Sequence, residues 1–392
     1  MMDGRMPKKR GNGQGAIFKR KDGRWVAVQT LGFDADGRQL RRHYYGSSRS
    51  SVGRRLEDAL RAQRAGMAPP DERRTVARHL TDWLDAIRPT VRPSSFVRYE
   101  GDVRRWIVPS LGSVPLVRLA PADVRRLLAT CTRGGLSARS IGHVHATLRT
   151  AVGAALRDGQ VIRNAAALVT APPAPKPRVR PIGPDNARAI LAAVEGDRLA
   201  PLVAVTLGVG LRLGEALGLR WSDVDLDAGT LAIRTALRRT PVEFREEGEP
   251  IYRLVAPKTD RSRRTIQLPA FAIAALRDQR RAQAEVRLAA GRLWLDNDLV
   301  FTGPTGGPIP PGSVTRRFQA LLAGAGIGRL RFHDLRHAAA TVMLAQGVEL
   351  RVISETLGHS SLGMTADVYA GVVPALGRAA AARMDEALGG AR

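Results

Sequence analysis

The chain has 392 residues, 44% of them hydrophobic, which is enough for two or three domains with cores of their own. No apolar run is long enough to cross a bilayer, the opening MMDGRMPKKRGNG lacks the apolar core of a signal peptide, and a single cysteine, Cys131, excludes an intrachain disulfide or a cysteine-rich zinc module. Lys and Arg number 62 against 36 Asp and Glu, a net charge of +26, so a polyanion is the expected partner, nucleic acid first, in the cytoplasm.

Residues 15–46 read as three short β-rich runs separated by the turn signals KDG and DADG, and SVGRRLEDALRAQRAG (51–66) has helical spacing. Residues 1–70 hold sixteen basic and six acidic side chains. A three-stranded sheet backed by one helix and rich in Lys19, Arg20, Lys21, Arg24, Arg41 and Arg42 suits insertion into a DNA groove. Residues 71–172 then show a helical period in TVARHLTDWLDAI, SSFVRYEGDVRRWIVPSLG, PADVRRLLATC and LSARSIGHVHATLRTAVGAALRDG. Here Trp83, Leu84, Trp106 and Ile107 are core candidates, and Arg104 is a candidate DNA contact.

The stretch TAPPAPKPRVRPIGP (170–184) is an extended basic linker, whose Lys176, Arg178 and Arg180 can lie along a phosphate backbone. Beyond it, residues 173–392 mix helices with strands at TLAIRTAL (230–237), YRLVAPK (252–258) and RTIQLP (264–269). The last two flank the polar turn TDRSR and are expected to form a hairpin with Lys258 at a strand end.

Within this third block HDLRH (333–337) allows three readings. Two histidines four apart resemble a metal clip, but the zinc-protease pattern has Glu where Asp334 stands, and Arg336 beside the would-be ligands repels a cation. The alternatives are a phosphate clamp and an ordinary helix. Five further residues bear on the choice: Arg212 with Glu215 three residues on, Lys258, His359 after the helix end at Gly358, and Tyr369. Of the 62 basic residues only six are lysine, leaving 56 arginines, so Lys258 stands where a group able to release a proton is wanted. Two arginines can grip one phosphate and offset the charge that grows as it becomes five-coordinate. A phenol stabilised by them is a usable nucleophile and a good leaving group, so a strand broken by Tyr369 is rejoined without ATP. No lysine follows a glycine, so there is no Walker A loop; no cofactor and no metal is expected.

The stretches GLRLGEALGLRWSDVD, APKTDRSRRTIQLP, HDLRHAAAT, LGHSS and TADVY, in this order, resemble the tyrosine recombinases of the phage-type integrase family. The resemblance implies a mainly α, multi-domain fold with α+β parts. Its arm-type DNA-binding domain (1–70) would be a three-stranded sheet plus helix, followed by a helical, SAM-like core-binding domain (71–172) and a mixed α/β catalytic domain (173–392). It implies that Tyr369 attacks the scissile phosphate to leave a 3′-phosphotyrosine and that Arg212 and Arg336 clamp the phosphate. Lys258 then protonates the leaving 5′-oxygen, His333 handles the phenolic proton and His359 donates a hydrogen bond, with Glu215 and Asp223 bracing the site. The expected function is site-specific recombination that integrates, and with help excises, a phage or other mobile element. The expected partners are core and arm sites on duplex DNA, three further copies in a tetramer on DNA, an excisionase and a host DNA-bending protein, in the bacterial nucleoid and not at a membrane. A DNA-binding relative that has lost the reaction, a tyrosine-type topoisomerase and an accessory zinc protein are the competing readings. The arm-like first block favours recombination, because relaxing supercoils needs no second DNA site. Two departures from the family are Gly371 in place of a frequent His and Asn164-Ala165 in place of Asn-Pro.

Overall fold

The computed structural model describes residues 15–33, 36–64, 71, 73–175, 182–256, 263–358 and six helical positions between 381 and 388. Lys176, Arg178, Arg180, Lys258, His359 and Tyr369 lie outside them. The chain divides into two compact units, Met1–Lys176 and Pro177–Arg392.

The first unit opens with β1 (Ala16–Lys19), β2 (Trp25–Phe33) and β3 (Gln39–Gly46), an antiparallel sheet in that order, followed by α1 (Arg49–Arg64). Gly23 (φ 82°) sits in the expected β1–β2 turn and Gly37 (φ 75°) just before β3, a conformation that costs glycine nothing. The register places Ile17, Ala27 and Tyr44 in one row, and this face packs on Val52, Leu56 and Ala59 of α1. A hydrogen-bonded chain closes that small core: Tyr44 Oη donates to Gln29 Oε1 (2.7 Å) and Gln29 Nε2 to Gln63 Oε1 (2.8 Å). The opposite phase pairs Phe18, Val26 and Tyr45, and leaves Phe18 and Tyr45 nearly half exposed.

The helical part runs α2 (Val76–Ile87), α3 (Pro93–Asp102), a π turn (Val103–Ile107), α4 (Val108–Leu111), α5 (Pro121–Arg133) and α6 (Ala138–Arg157). Local chemistry sets the starts. Thr75 and Ser137 accept hydrogen bonds from the backbone N–H of Arg78 and Ser140, and prolines with fixed φ open α3 and α5. Leu80, Trp83, Ile107, Leu127 and Leu148 form the core, each side chain worth about 1.5–3 kcal/mol of burial. Two buried histidines fasten α6 within it, His79 Nε2 to the carbonyl of Ala151 and His145 Nε2 to that of Ala166, both at 2.9 Å. Asn164, followed by Ala165 where the resemblance leads one to expect Pro, caps a short 3-10 turn by accepting from the N–H of Ala166 and Ala167. The π turn was not legible in the sequence; it keeps Val103 and Ile107 buried while Arg104 and Arg105 face solvent.

The second unit comprises α7 (Pro184–Ala193), α8 (Ala200–Val209), α9 (Leu213–Leu217), β4 (Val224–Asp225), β5 (Thr230–Ile233), β6 (Ala236–Arg239), β7 (Tyr252–Val255), β8 (Arg264–Gln267), α10 (Ala270–Ala290), α11 (Pro311–Gly324), α12 (Asp334–Ala345) and α13 (Leu350–Leu357). APLVAVTLGV in α8 is apolar on every face, so α8 is central, with α10 and α12 against it. The expected hairpin between 252–258 and 264–269 is not formed by the described strands: β7 pairs with β6, whereas β8 pairs with β5. The cause is a break inside TLAIRTAL. Thr235 Oγ1 donates to the carbonyl of Gly218 (2.7 Å) and Arg234 turns to Asp223, so β5 and β6 enter different sheets. The class is the expected one, mainly helical with small antiparallel sheets.

Candidate active site

Four chain segments of the second unit converge on Arg212 and Arg336. The first is the α8–α9 corner. Gly210 ends α8 in the left-handed region (φ 67°), and a Cβ there would sit 2.1 Å from Leu357 Cδ2. Only glycine lets α8 and α13 approach this closely. Arg212 follows as the N-cap of α9, its side chain 37% exposed. Its Nη1 donates to Glu215 Oε1 (2.6 Å) and its backbone N–H to Glu215 Oε2 (3.1 Å), so Glu215 holds the guanidinium as the three-residue spacing suggested.

The second segment is α12. His333 is its N-cap and Arg336 lies one turn in, only 2% exposed, with Nη1 donating to the carbonyl of Gly210 (2.8 Å). That bond ties the second arginine to the backbone two residues before the first. His333 is exposed at the surface, and its ring meets that of His337 edge-on at 5.1 Å. Partial desolvation, then His337, Arg336 and Arg331, push its pKa down to about 4, so the imidazole is neutral at pH 7. Asp334 pairs with Arg331 (2.8 Å) and, despite its partial burial, is held below the usual carboxylate range by that bond. Among the described residues no group of three His, Cys, Asp or Glu side chains is placed to hold a metal.

The third and fourth segments are β8 and the C-terminal end of α13. Arg264 Nη2 donates to Glu215 Oε2 (3.1 Å) and its Nε to the carbonyl of Thr356 (2.7 Å), while Arg212 Nη2 donates to the carbonyl of Gly358 (3.0 Å). Carbonyls that α13 leaves without helical partners are therefore taken by the two arginines. Burial opposes charge on Glu215, but Arg264 and Arg212 outweigh it and hold its carboxyl below the ordinary range. Arg264 was missed in the sequence. The signal was available: Arg264, Ile266 and Leu268 share one phase of a strand, so the arginine faces inward.

The other expected residues fall elsewhere. Asp223 is buried and pairs with Arg234 (2.9 Å), at the strand break that packs on Gly218, outside the hydrogen-bonded cluster itself. Lys19, Arg20, Lys21 and Arg24 lie exposed at the β1–β2 turn, Arg41 is exposed on β3, and Arg42 is half-buried within reach of Asp71 (3.7 Å). Arg104 is exposed and bonded to Glu100 (3.0 Å). The second unit also has an apolar cavity of about 920 Å³, lined by Leu191, Val194, Leu202, Val286, Phe301 and Ile309. It includes none of the cluster residues.

Comparison with known proteins gives a consistent picture. Residues 181–374 match the model of the phage integrase family, and residues 75–130 match that of the phage integrase N-terminal SAM-like domain. An integrase of Streptomyces ambofaciens is 30% identical over 383 residues, covering 93% of this chain and 94% of that protein. A XerC-like tyrosine recombinase of Caldanaerobacter subterraneus is 29% identical over 359 residues, covering 88% and 91%. Among solved structures, the Tn1549 transposon integrase in complex with a circular intermediate DNA aligns at a TM-score of 0.65 with 20% identity, over 76% of this chain and 95% of that one. A lambda integrase tetramer bound to a Holliday junction aligns at 0.55 with 17% identity, over 92% and 96%.

Proposed function

The chain belongs to the phage integrase family of tyrosine recombinases, site-specific recombinases that cut and rejoin DNA strands, and from that premise we propose how its own residues carry the reaction. The phenol of Tyr369 attacks the scissile phosphorus and the 5′-oxygen departs, leaving a 3′-phosphotyrosine. His333, held neutral, accepts the phenolic proton, and Lys258 protonates the leaving oxygen. Arg212 and Arg336, with a hydrogen bond from His359, balance the charge of the five-coordinate phosphorus. In the rejoining step a 5′-hydroxyl attacks the phosphotyrosine, and the phenol leaves. The ester retains the energy of the broken strand, so neither nucleotide nor metal enters the scheme. Glu215 braces Arg212 directly, and Asp223 acts at one remove through Arg234.

The observation that supports this most is the convergence of Arg212 and Arg336 on the α8–α9 corner, with the C-terminal end of α13 bonded to Arg212 one residue before His359. The domain assignment (1–70 arm-binding, 71–172 core-binding, 173–392 catalytic, joined by the basic linker 170–184) belongs to the same proposal. So do Lys19, Arg20, Lys21, Arg24, Arg41, Arg42, Arg104, Lys176, Arg178 and Arg180 as DNA contacts. Because solved relatives were captured on DNA as dimers and tetramers, we assign duplex DNA as the partner and a tetramer on DNA as the working assembly. An excisionase and a host bending protein would set direction, and the nucleoid is the place of action. No helix among the described residues is long and apolar enough to cross a membrane.

The test is incubation of supercoiled plasmid with the protein in EDTA without ATP, followed by detergent quench and assay for relaxation and for protein joined to DNA. Adduct that disappears in Tyr369→Phe supports the scheme. Activity that survives in Tyr369→Phe places the nucleophile elsewhere and overturns it.

A further inference from the structure

Glu215 is one carboxylate serving two arginines. Its side chain is 6% exposed and that of Arg264 is 7% exposed, whereas the side chain of Arg212 keeps 37%. Had Glu215 only Arg212 for a partner, the pair would be electrically neutral where a phosphate has to be gripped. With Arg264 on the second oxygen the three groups together carry one net positive charge, so Glu215 no longer cancels Arg212, the arginine that still meets solvent. Burial and the neighbouring Arg212 both lower the pKa of Arg264, but a guanidinium has ample margin to remain charged.

Arg264 is also a mechanical link. One face of its guanidinium reaches Glu215 on α9, and its Nε reaches the carbonyl of Thr356 in the last turn of α13. Strand β8, which begins six residues after Lys258, is thereby fixed to the helix that ends two residues before His359. Ile266, two residues along, pairs with Leu231 in the core and anchors the strand. A lysine could keep the charge but, with one nitrogen, could not span both acceptors in this planar arrangement.

We propose that Arg264 is a positioning residue for the strand-cleavage reaction: bonded at once to Glu215 and to the Thr356 carbonyl, it leaves Arg212 with a net charge for the phosphate and locks the end of α13 beside it. The inference rests on the functional reading above, and deepens it by adding a residue that touches no reacting atom. Groups that orient a metal's ligands cost about 10–100-fold when removed, and a loss of that order is expected for a group that orients a phosphate's arginine.

The experiment uses full-length protein and DNA recovered from wild-type covalent adducts formed on a pool of random-sequence duplexes. Arg264→Gln and Arg264→Lys are compared with wild type for thermal midpoint, affinity for the recovered duplex and single-turnover adduct formation. The duplex carries either an ordinary phosphate or a neutral methylphosphonate at the scissile position. The expected result is unchanged affinity, adduct formation about 10–100-fold slower for Arg264→Gln on the phosphate, a smaller loss for Arg264→Lys, and a much reduced loss on the methylphosphonate. The neutral group asks less of the positive charge, so a defect acting through Arg212 shrinks on it, whereas general loosening of the fold slows both substrates alike. Equal slowing on the two substrates, or no slowing, overturns the role of Arg264. If Arg264→Gln does not fold, the same comparison is read from Arg264→Lys. A pool that yields no Tyr369-dependent adduct from wild type overturns the functional reading itself.

Discussion

Gly210→Ala is the most exacting test of the corner that carries the site. Two costs add. An alanine at φ 67° pays about 1–2 kcal/mol for the left-handed conformation. Its Cβ would also sit 2.1 Å from Cδ2 of the fully buried Leu357, so α13 or the leucine must move, an overpacking cost of about 1–3 kcal/mol. The sum is about 2–5 kcal/mol, and at about 2–4 °C per kcal/mol for a unit of this size the thermal midpoint should fall by about 4–20 °C. Gly196→Ala is the control: φ is 74°, and nothing lies within 4 Å of the added methyl. It isolates the backbone cost, and the entropy lost from the unfolded chain cancels in the comparison. Scanning calorimetry of both variants, and of Gly210→Ala combined with Leu357→Ala, completes the cycle. The double variant should be less destabilised than the sum of its parts by about 0.5–3 kcal/mol. If Gly210→Ala is no worse than Gly196→Ala, or if the two changes at the corner add, the tight seating of α13 on α8 is wrong.

Glu215→Gln keeps the shape but strips two arginines of their counterion, and should cost about 3–5 kcal/mol, read by denaturant unfolding at pH 7. The folded carboxyl titrates below its ordinary 4.5, so its contribution is present above that pH and is lost as pH falls through the folded value; the variant should lack this acid-side loss. For His333 the sign is the same, although here folding favours the neutral form rather than the charged one. The unfolded imidazole takes a proton near 6.5 and the folded one only near 4, so stability falls as pH drops between those values, and His333→Asn should flatten that slope. Proton NMR should place the His333 midpoint near 4, and a midpoint near 6.5 would remove the neutral proton acceptor from the scheme. On the sheet, Phe18→Ser and Tyr45→Ser remove side chains 47% and 48% exposed, so each should change stability by less than about 0.5 kcal/mol while weakening duplex binding in a gel-shift assay. Undiminished binding would mean that this face does not meet DNA.

Arg212, His333 and Arg336 stand out in the sequence because their signals are local: glycines flank Arg212, and His333 and Arg336 are three apart at a helix start. Arg264 escaped because its partners lie 49 and 92 residues away in the chain, and a charge in a strand reads as solvent-facing unless the phase of Ile266 and Leu268 is followed. The strand register went the same way. YRLVAPK and RTIQLP are neighbours in sequence with a good turn between them, but the break at Arg234 and Thr235 is set by Asp223 and Gly218, both distant, and it reroutes the pairing. The three β-rich runs of residues 15–46 were legible because turn residues and alternation agree, and no long-range contact overrules them.

Among the described residues the sheet and α1 share a core of five buried hydrophobic residues, none of which belongs to the helical core that follows. So small an interior supports little free energy, and the sheet and helix should open and close many times for each unfolding of their neighbours. Limited proteolysis of the native protein ought therefore to pare the chain back toward residue 71 first and leave a trimmed enzyme still holding Arg212, Arg264 and Arg336 in place. This separates two rates of evolutionary change: the sheet and helix at the front can be exchanged or lost at small cost to the fold, while the arginine cluster behind them is bound to four segments at once and has almost no room to drift.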